Sequence, residues 1–106
     1  MTRVDLKARP FYLSDEDVKW VEDTIATMTL EEKIGQLFFN MGASRTEDYL
    51  KSVLKNYHIA GVRYNPGTAS EVYDQNKILQ ENSKIPLLIA ANTEAGGMAP
   101  VQMERK

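Results

Sequence analysis

Cysteine is absent from all 106 residues, which removes both a disulfide framework and thiolate metal sites and fits a reducing compartment, with the cytoplasm as the default expectation. One histidine, His58, cannot build a zinc site alone. No GxGxxG or GxxxxGK[ST] phosphate loop occurs, which argues against a flavodoxin-like nucleotide-binding domain. Neither charge sign dominates: 13 basic against 15 acidic residues leave a net charge of −2, without blocks, so nucleic acid and anionic lipid are not expected partners. The longest apolar run falls far short of the ~20 residues a membrane span needs, and Met1-Thr2-Arg3-Val4-Asp5 puts charge where a signal peptide would be apolar. No metal and no cofactor are expected.

What is present is a chain long enough for about one small domain, with 42% hydrophobic residues to bury a modest core. Ser14 precedes Asp15-Glu16-Asp17 as a helix N-cap does, with the acids suited to the positive end of the helix dipole. Val18, Val21, Ile25 and Met28 then recur at spacings of three and four, predicting an amphipathic helix with that stripe inward. Thr29 and Glu32 have the spacing of a capping box for a second helix whose Leu30, Ile34 and Leu37 are expected to face the core. Trp20 and Phe38-Phe39 fall at periodic apolar positions and are likewise read as core.

Beyond that helix the pattern alternates. Leu37 to Met41 reads as a short buried strand, Thr46 to Tyr57 as a helix, and Ile59 to Gly67 as a strand stopped by Asn65-Pro66-Gly67. Thr68 or Ser70 caps the next helix, which carries Val72, Ile78 and Leu79. Pro86 cannot donate to a ladder and so stands at the start of a third strand, where Leu87 to Ala91 lack polar alternation, as if covered on both faces. Strands joined through helices imply a parallel sheet with right-handed crossovers, hence an α/β fold. Three strands leave both sheet edges bare and one face uncovered, so the chain is expected either to be a fragment or to need a partner, self-association through the edges being one option.

Ligands of parallel α/β folds meet the carboxyl ends of the strands. Those ends are polar here: Asn40, then Arg63-Tyr64-Asn65, then Asn92-Thr93-Glu94. Asn40 is either a turn residue before Gly42 or a rim residue, and Asn65 suits turn chemistry. Arg63 within an apolar strand calls for an anion, either Glu94 as a structural ion pair or a bound substrate. Asn92 and Glu94 stand beside Gly96-Gly97, and a binding role is favoured there. His58, at the amino side of a strand, is read as a partly buried loop residue.

"MTLEEKIGQLFF", "YHIAGVRYNPG" and "KIPLLIAANTEAGG", in that order, resemble the amino-terminal portion of glycoside hydrolase family 3, above all its β-N-acetylhexosaminidase-like members. The similarity runs from Asp15 to Gly97. It implies a partial (β/α)8 TIM-type barrel, about three parallel strands with helices after one or two leading helices. It also implies a carbohydrate substrate: hydrolysis of terminal β-linked sugars, β-N-acetylhexosaminides or β-glucosides, with retention of configuration. The resemblance places Asn92, in the segment that includes Glu94, at the substrate and matches Arg63 loosely; with Asn40 from the polar strand ends, Asn92, Glu94 and Arg63 are the expected substrate-binding residues. Where family members carry Asp-x-Glu-Gly-Gly after the third strand, this chain has Asn92-Thr93-Glu94-Ala95-Gly96, so the sugar-binding Asp is replaced by an amide that still donates and accepts but lacks charge.

Retaining glycosidases need a nucleophilic carboxylate and an acid/base ~5 Å apart. In the family these sit on a late strand and later loops, so the resemblance assigns no catalytic residue to these 106 residues, and the chain alone is expected to be inactive. The expected organisation is a leader over 1–14, the family-like region over 15–97 and an atypical tail over 98–106. One back-translation of that tail, shifted by one nucleotide, gives a sequence that resembles the family's loop, so the expectation is either a frameshifted longer frame or an ordinary frayed terminus. The alternative is an autonomous small α/β interaction module that self-associates through its sheet edges.

Overall fold

The helices start where their caps place them. In the computed structural model, which describes residues 4–41, 44–63 and 66–92 together with the backbone of 101–102, α1 spans Asp15–Thr27 and α2 spans Leu30–Gly35. Both open on reciprocal capping boxes. Ser14 Oγ accepts from the Asp17 N–H at 3.1 Å and Asp17 Oδ2 accepts from the Ser14 N–H at 3.3 Å, while Thr29 and Glu32 exchange the equivalent bonds at 3.2 and 2.7 Å.

Strand β1 (Phe39–Asn40) leads to α3 (Glu47–Tyr57), β2 (Gly61–Arg63), the short β3 (Gly67–Thr68), α4 (Ala69–Glu81), β4 (Leu88–Ala90) and β5 (Val101–Gln102). Of the two candidate caps for α4, Thr68 is the one used, in a third capping box with Glu71. β1, β2 and β4 form one parallel sheet in that order, pairing Phe39 with Gly61, Asn40 with Val62, Gly61 with Leu88, Val62 with Ile89 and Arg63 with Ala90. The expected α/β architecture is thus observed, and it is that of part of an α/β barrel. β3 and β5 make a separate parallel pair; the aperiodic tail gave no sign of it.

The core lies between the sheet and two helices. Leu50, Val53 and Leu54 of α3, Leu79 of α4, and Ile59, Val62 and Leu87 from the strands and their approaches form one buried cluster, flanked by Tyr49, Ile78 and Ile89. Because side chains alternate along a strand, Val62 and Ile89 face this cluster, whereas Phe39, Gly61 and Leu88 share the other face. That face is open, with Leu88 63% exposed. The apolar run in β4 is therefore covered on one side, not two.

Three further expectations are corrected. No residue of α1 is buried, and Trp20 and Ile25 are each 51% exposed. Leu30, Ile34 and Leu37 of the α2 region point away from the core, Leu37 at 80% exposure. Phe38 and Phe39 are exposed as well. The physical reason is common to all: periodicity marks a face that wants cover, and the layers these residues would touch are not supplied by the described residues.

Close contacts fix how α2 meets the rest. A Cβ at Gly35 would lie 2.2 Å from the Tyr57 carbonyl oxygen and 2.5 Å from that of His58, so only glycine lets α2 rest on the end of α3. His58 ends α3 in the left-handed conformation, φ 50°. Two side-chain amides then tie the strands where they enter the sheet. Gln36 Nε2 donates to the carbonyls of His58 (2.8 Å) and Ile59 (3.4 Å), and Gln80 makes a two-way clamp on Leu87, donating to its carbonyl and accepting from its N–H, each at 2.9 Å.

Candidate functional site

The three parallel strands deliver Asn40, Arg63 and, two residues past β4, Asn92 to one carboxyl edge. They do not all point the same way. Arg63 pairs in register with Ala90 and lies two residues beyond Gly61, on the open face, while Asn92 stands two residues past the end of β4. Asn40 pairs with Val62 and turns to the helix side, where its Nδ2 donates to the Tyr49 hydroxyl at 3.4 Å. The edge thus sets Arg63 on the open face and Asn40 behind it, with Asn92 just past the neighbouring strand end. Glu94, Asn65 and the Arg63–Glu94 ion pair fall outside the described residues.

Arg63 is half-buried, and its Nε is enclosed with no hydrogen-bond partner among the described residues. Asn92 is exposed. A guanidinium can donate to an oxyanion or to the hydroxyls of a polyol, and an exposed amide both donates and accepts.

A second arginine reaches this edge from a position the sequence reading did not single out. Arg45, between β1 and α3, donates to the Pro66 carbonyl at 3.0 Å, and its guanidinium and the Glu71 carboxylate both stand close against Gly67. Glu71 is held below the ordinary carboxylate range chiefly by the Thr68 backbone N–H, then by the Thr68 hydroxyl, with a smaller contribution from Arg45. Tyr49, the brace of Asn40, was also missed. Its only local signal is a polar-tipped aromatic next to the apolar stripe of α3.

Two cavities lie elsewhere. A groove of about 740 Å³ runs between α2, β1 and α3 and reaches Asn40. One of about 440 Å³ at the amino side of the sheet is lined by Glu32, Gln36, Lys51, Lys55, His58 and Lys84 among others. There Glu32 is pulled below the usual carboxylate value by the Thr29 backbone N–H first and by Lys84 Nζ, 3.3 Å away, second. Among the described residues neither cavity is lined by Arg63 or Asn92, no group of His, Asp and Glu converges as metal ligands, and no helix is long and apolar enough to cross a membrane.

The β-N-acetylglucosaminidase/β-glucosidase of Cellulomonas fimi is similar to this chain, 37% identical over 99 residues, which is 93% of this chain and 18% of that protein. Two solved structures of the beta-glucoside phosphorylase BglX, one of them bound to 2FGlc, superpose with TM-scores of 0.73 and 0.74 at 35% identity. They match 87% of this chain and 15% and 16% of theirs. The chain therefore spans less than a fifth of the length of the relatives it matches. No model of a protein family matches.

Proposed function

Because the chain belongs, over the stretch that matches, to glycoside hydrolase family 3, we propose that it carries part of the sugar-binding rim of a glycosidase that cleaves terminal β-linked sugars, β-N-acetylhexosaminides or β-glucosides, with retention. The observation that carries this reading is that Arg63, on the open face, and Asn92, two residues past β4, lie at the carboxyl ends of neighbouring paired strands. Arg63 donates to hydroxyl oxygens of the non-reducing sugar, and Asn92 holds a neighbouring hydroxyl by donating and accepting at once. Glu94 is the third contact. Asn40 serves from behind, held against Tyr49. Residues 15–97 act as one portion of a catalytic domain, flanked by the leader and the tail. The nucleophile and the acid/base belong to polypeptide outside these 106 residues, so the chain alone turns over no sugar. The cysteine-free composition favours the cytoplasm as its place of action.

The name of the solved relatives favours a second reading in the same site. A beta-glucoside phosphorylase passes the sugar to phosphate where a hydrolase passes it to water, and the rim residues serve either acceptor alike.

The test is a chimera in which this chain replaces the matched 99-residue stretch of the Cellulomonas fimi enzyme. The chimera is expected to cleave chromogenic β-N-acetylglucosaminides or β-glucosides. In it, Asn92→Ala is expected to lower kcat/KM by roughly 10- to 100-fold, the scale of about 1–3 kcal/mol for a lost buried hydrogen bond. Acceleration by inorganic phosphate, with a sugar phosphate as product, selects the phosphorylase reading. A folded chimera without activity, or unchanged kinetics in Asn92→Ala, rejects the assignment of the rim.

A further inference from the structure

Three lysines from two separate parts of the chain converge on the cavity of about 440 Å³ at the amino side of the sheet. Its floor and walls are apolar: Leu54 and Ile59 are buried, and Met28 and Ile85 are half-buried. Lys51, Lys55 and Lys84 stand exposed around them, so their charges ring the mouth of an apolar recess. Lys51 and Lys55 lie one turn apart on α3, and a lysine in the last turn suits the negative end of a helix dipole. That does not account for Lys84, which belongs to the loop between α4 and β4 and lines the same recess. The carbonyls at this end of α3 are already engaged, that of Leu54 by the His58 N–H and those of His58 and Ile59 by Gln36.

We propose that this recess binds a small organic monoanion, a carboxylate carried on an apolar ring system. Lys51 is paired with Glu47 and Lys84 with Glu32, and Glu32 is also committed to the cap of α2, while Lys55 has no ion pair among the described residues. One positive charge is therefore left over, and a single carboxylate answers it. His58 is half-buried in the wall and its ring makes no hydrogen bond among the described residues, so a ring N–H is available to donate to the same carboxylate. No arginine lines the recess, and an ammonium is a point charge that asks for no forked acceptor such as phosphate. The apolar body is needed as well, because a bare anion leaves Met28, Leu54, Ile59 and Ile85 facing water. The volume suits such a ligand, since small-molecule pockets begin at ~300 Å³. A nucleic acid is a poorer occupant: the wall offers no Phe, Tyr, Trp or Arg for bases to stack on. The recess lies at the opposite end of the sheet from Arg63 and Asn92, so the inference stands apart from the sugar-binding reading.

The probe is naphthalene-2-carboxylate, titrated into the isotope-labelled 106-residue chain and followed by amide NMR shifts. Naphthalene-2-carboxamide serves as its neutral counterpart, and inorganic phosphate as a charge without a body. Saturable shifts are expected in residues 54–59 and 82–85, which border the recess. Lys55→Met keeps the apolar stem and removes the charge, and is expected to weaken binding about two- to fivefold, the scale of one exposed charge pair. Added salt is expected to weaken it too. Lys77→Met, on α4 and outside the recess, is expected to change nothing. The carboxamide is expected to bind about two- to fivefold more weakly than the carboxylate, and phosphate to give no saturable shift. A carboxamide that binds as tightly as the carboxylate overturns the proposal, as does indifference to Lys55→Met or shifts spread evenly over the chain. Shifts of the same amides on dilution without any probe assign the recess to a second copy of the chain and overturn it equally. So does a chain that shows no dispersed spectrum even with the probe in excess.

Discussion

Replacing Gln80 by leucine keeps the volume of the side chain and removes both of its bonds to Leu87, each 2.9 Å long. Leu87 is only 7% exposed, so its N–H and carbonyl lose protein partners where water enters poorly. Each hydrogen bond is worth ~0.5–1.5 kcal/mol net, and a stranded buried group costs ~1–3 kcal/mol. Gln80 itself lies at the surface, which lets some water in and favours the lower end, about 2 kcal/mol for the pair. With an m-value of roughly 1–2 kcal/mol/M, the urea midpoint of the 106-residue chain is expected to fall by about 1–2 M. Gln80→Glu separates the two bonds. The ionised carboxylate still accepts from the Leu87 N–H but opposes its carbonyl, whereas the protonated acid restores the clamp. The folded pKa of the introduced carboxyl is therefore raised above the unfolded value of ~4.3, so the clamp's stabilisation is complete below that pH and is lost as pH rises through the folded pKa. Urea unfolding followed by circular dichroism, with each variant referred to wild type at pH 4 and pH 7.5, reads both effects. A Gln80→Leu midpoint indistinguishable from wild type, or a Gln80→Glu deficit equal at the two pH values, refutes the clamp as an energetic tie.

Two further outcomes are expected. Gly35→Ala forces a methyl to within 2.2 Å of a backbone oxygen that cannot move independently, so the chain is expected to lose about 1–3 kcal/mol by urea unfolding despite alanine's better helix propensity; a neutral or stabilising result shows that α2 lifts off α3 freely. Glu32 and Glu71 are both held below their ordinary value of 4.5 by the N–H groups of Thr29 and Thr68. Their stabilisation is thus present above pH 4.5 and is lost as pH falls through the lowered folded values, and the double variant Glu32→Gln/Glu71→Gln is expected to flatten the acid limb of the stability profile.

The parts of the fold legible in the sequence were those written locally. Ser14, Thr29 and Thr68 announce helix starts through residues three positions away, and Pro86 stands just before β4, so element order and parallel pairing followed. Burial was misread wherever it depended on distant chain. Trp20, Leu37, Phe38 and Phe39 are apolar at apolar spacings, yet their exposure is decided by layers the described residues do not supply. Gln36 and Gln80 were invisible for a related reason: their partners lie 22 and 7 residues away, and an amide carries no pattern that names a target. In the candidate site, the sequence placed Asn40 and Arg63 at a common edge. Which face each takes depends on strand parity and register, and a two-residue strand such as β1 does not declare that in advance.

The two amide ties grip β2 and β4 at their points of entry, leaving the exits to the sheet ladder. A beam clamped at one end tolerates changes of load at its tip as long as the clamp holds, and the tips here carry residues 63 and 92. Chemical variation at those tips can thus be accommodated without unseating the ribbons that present them.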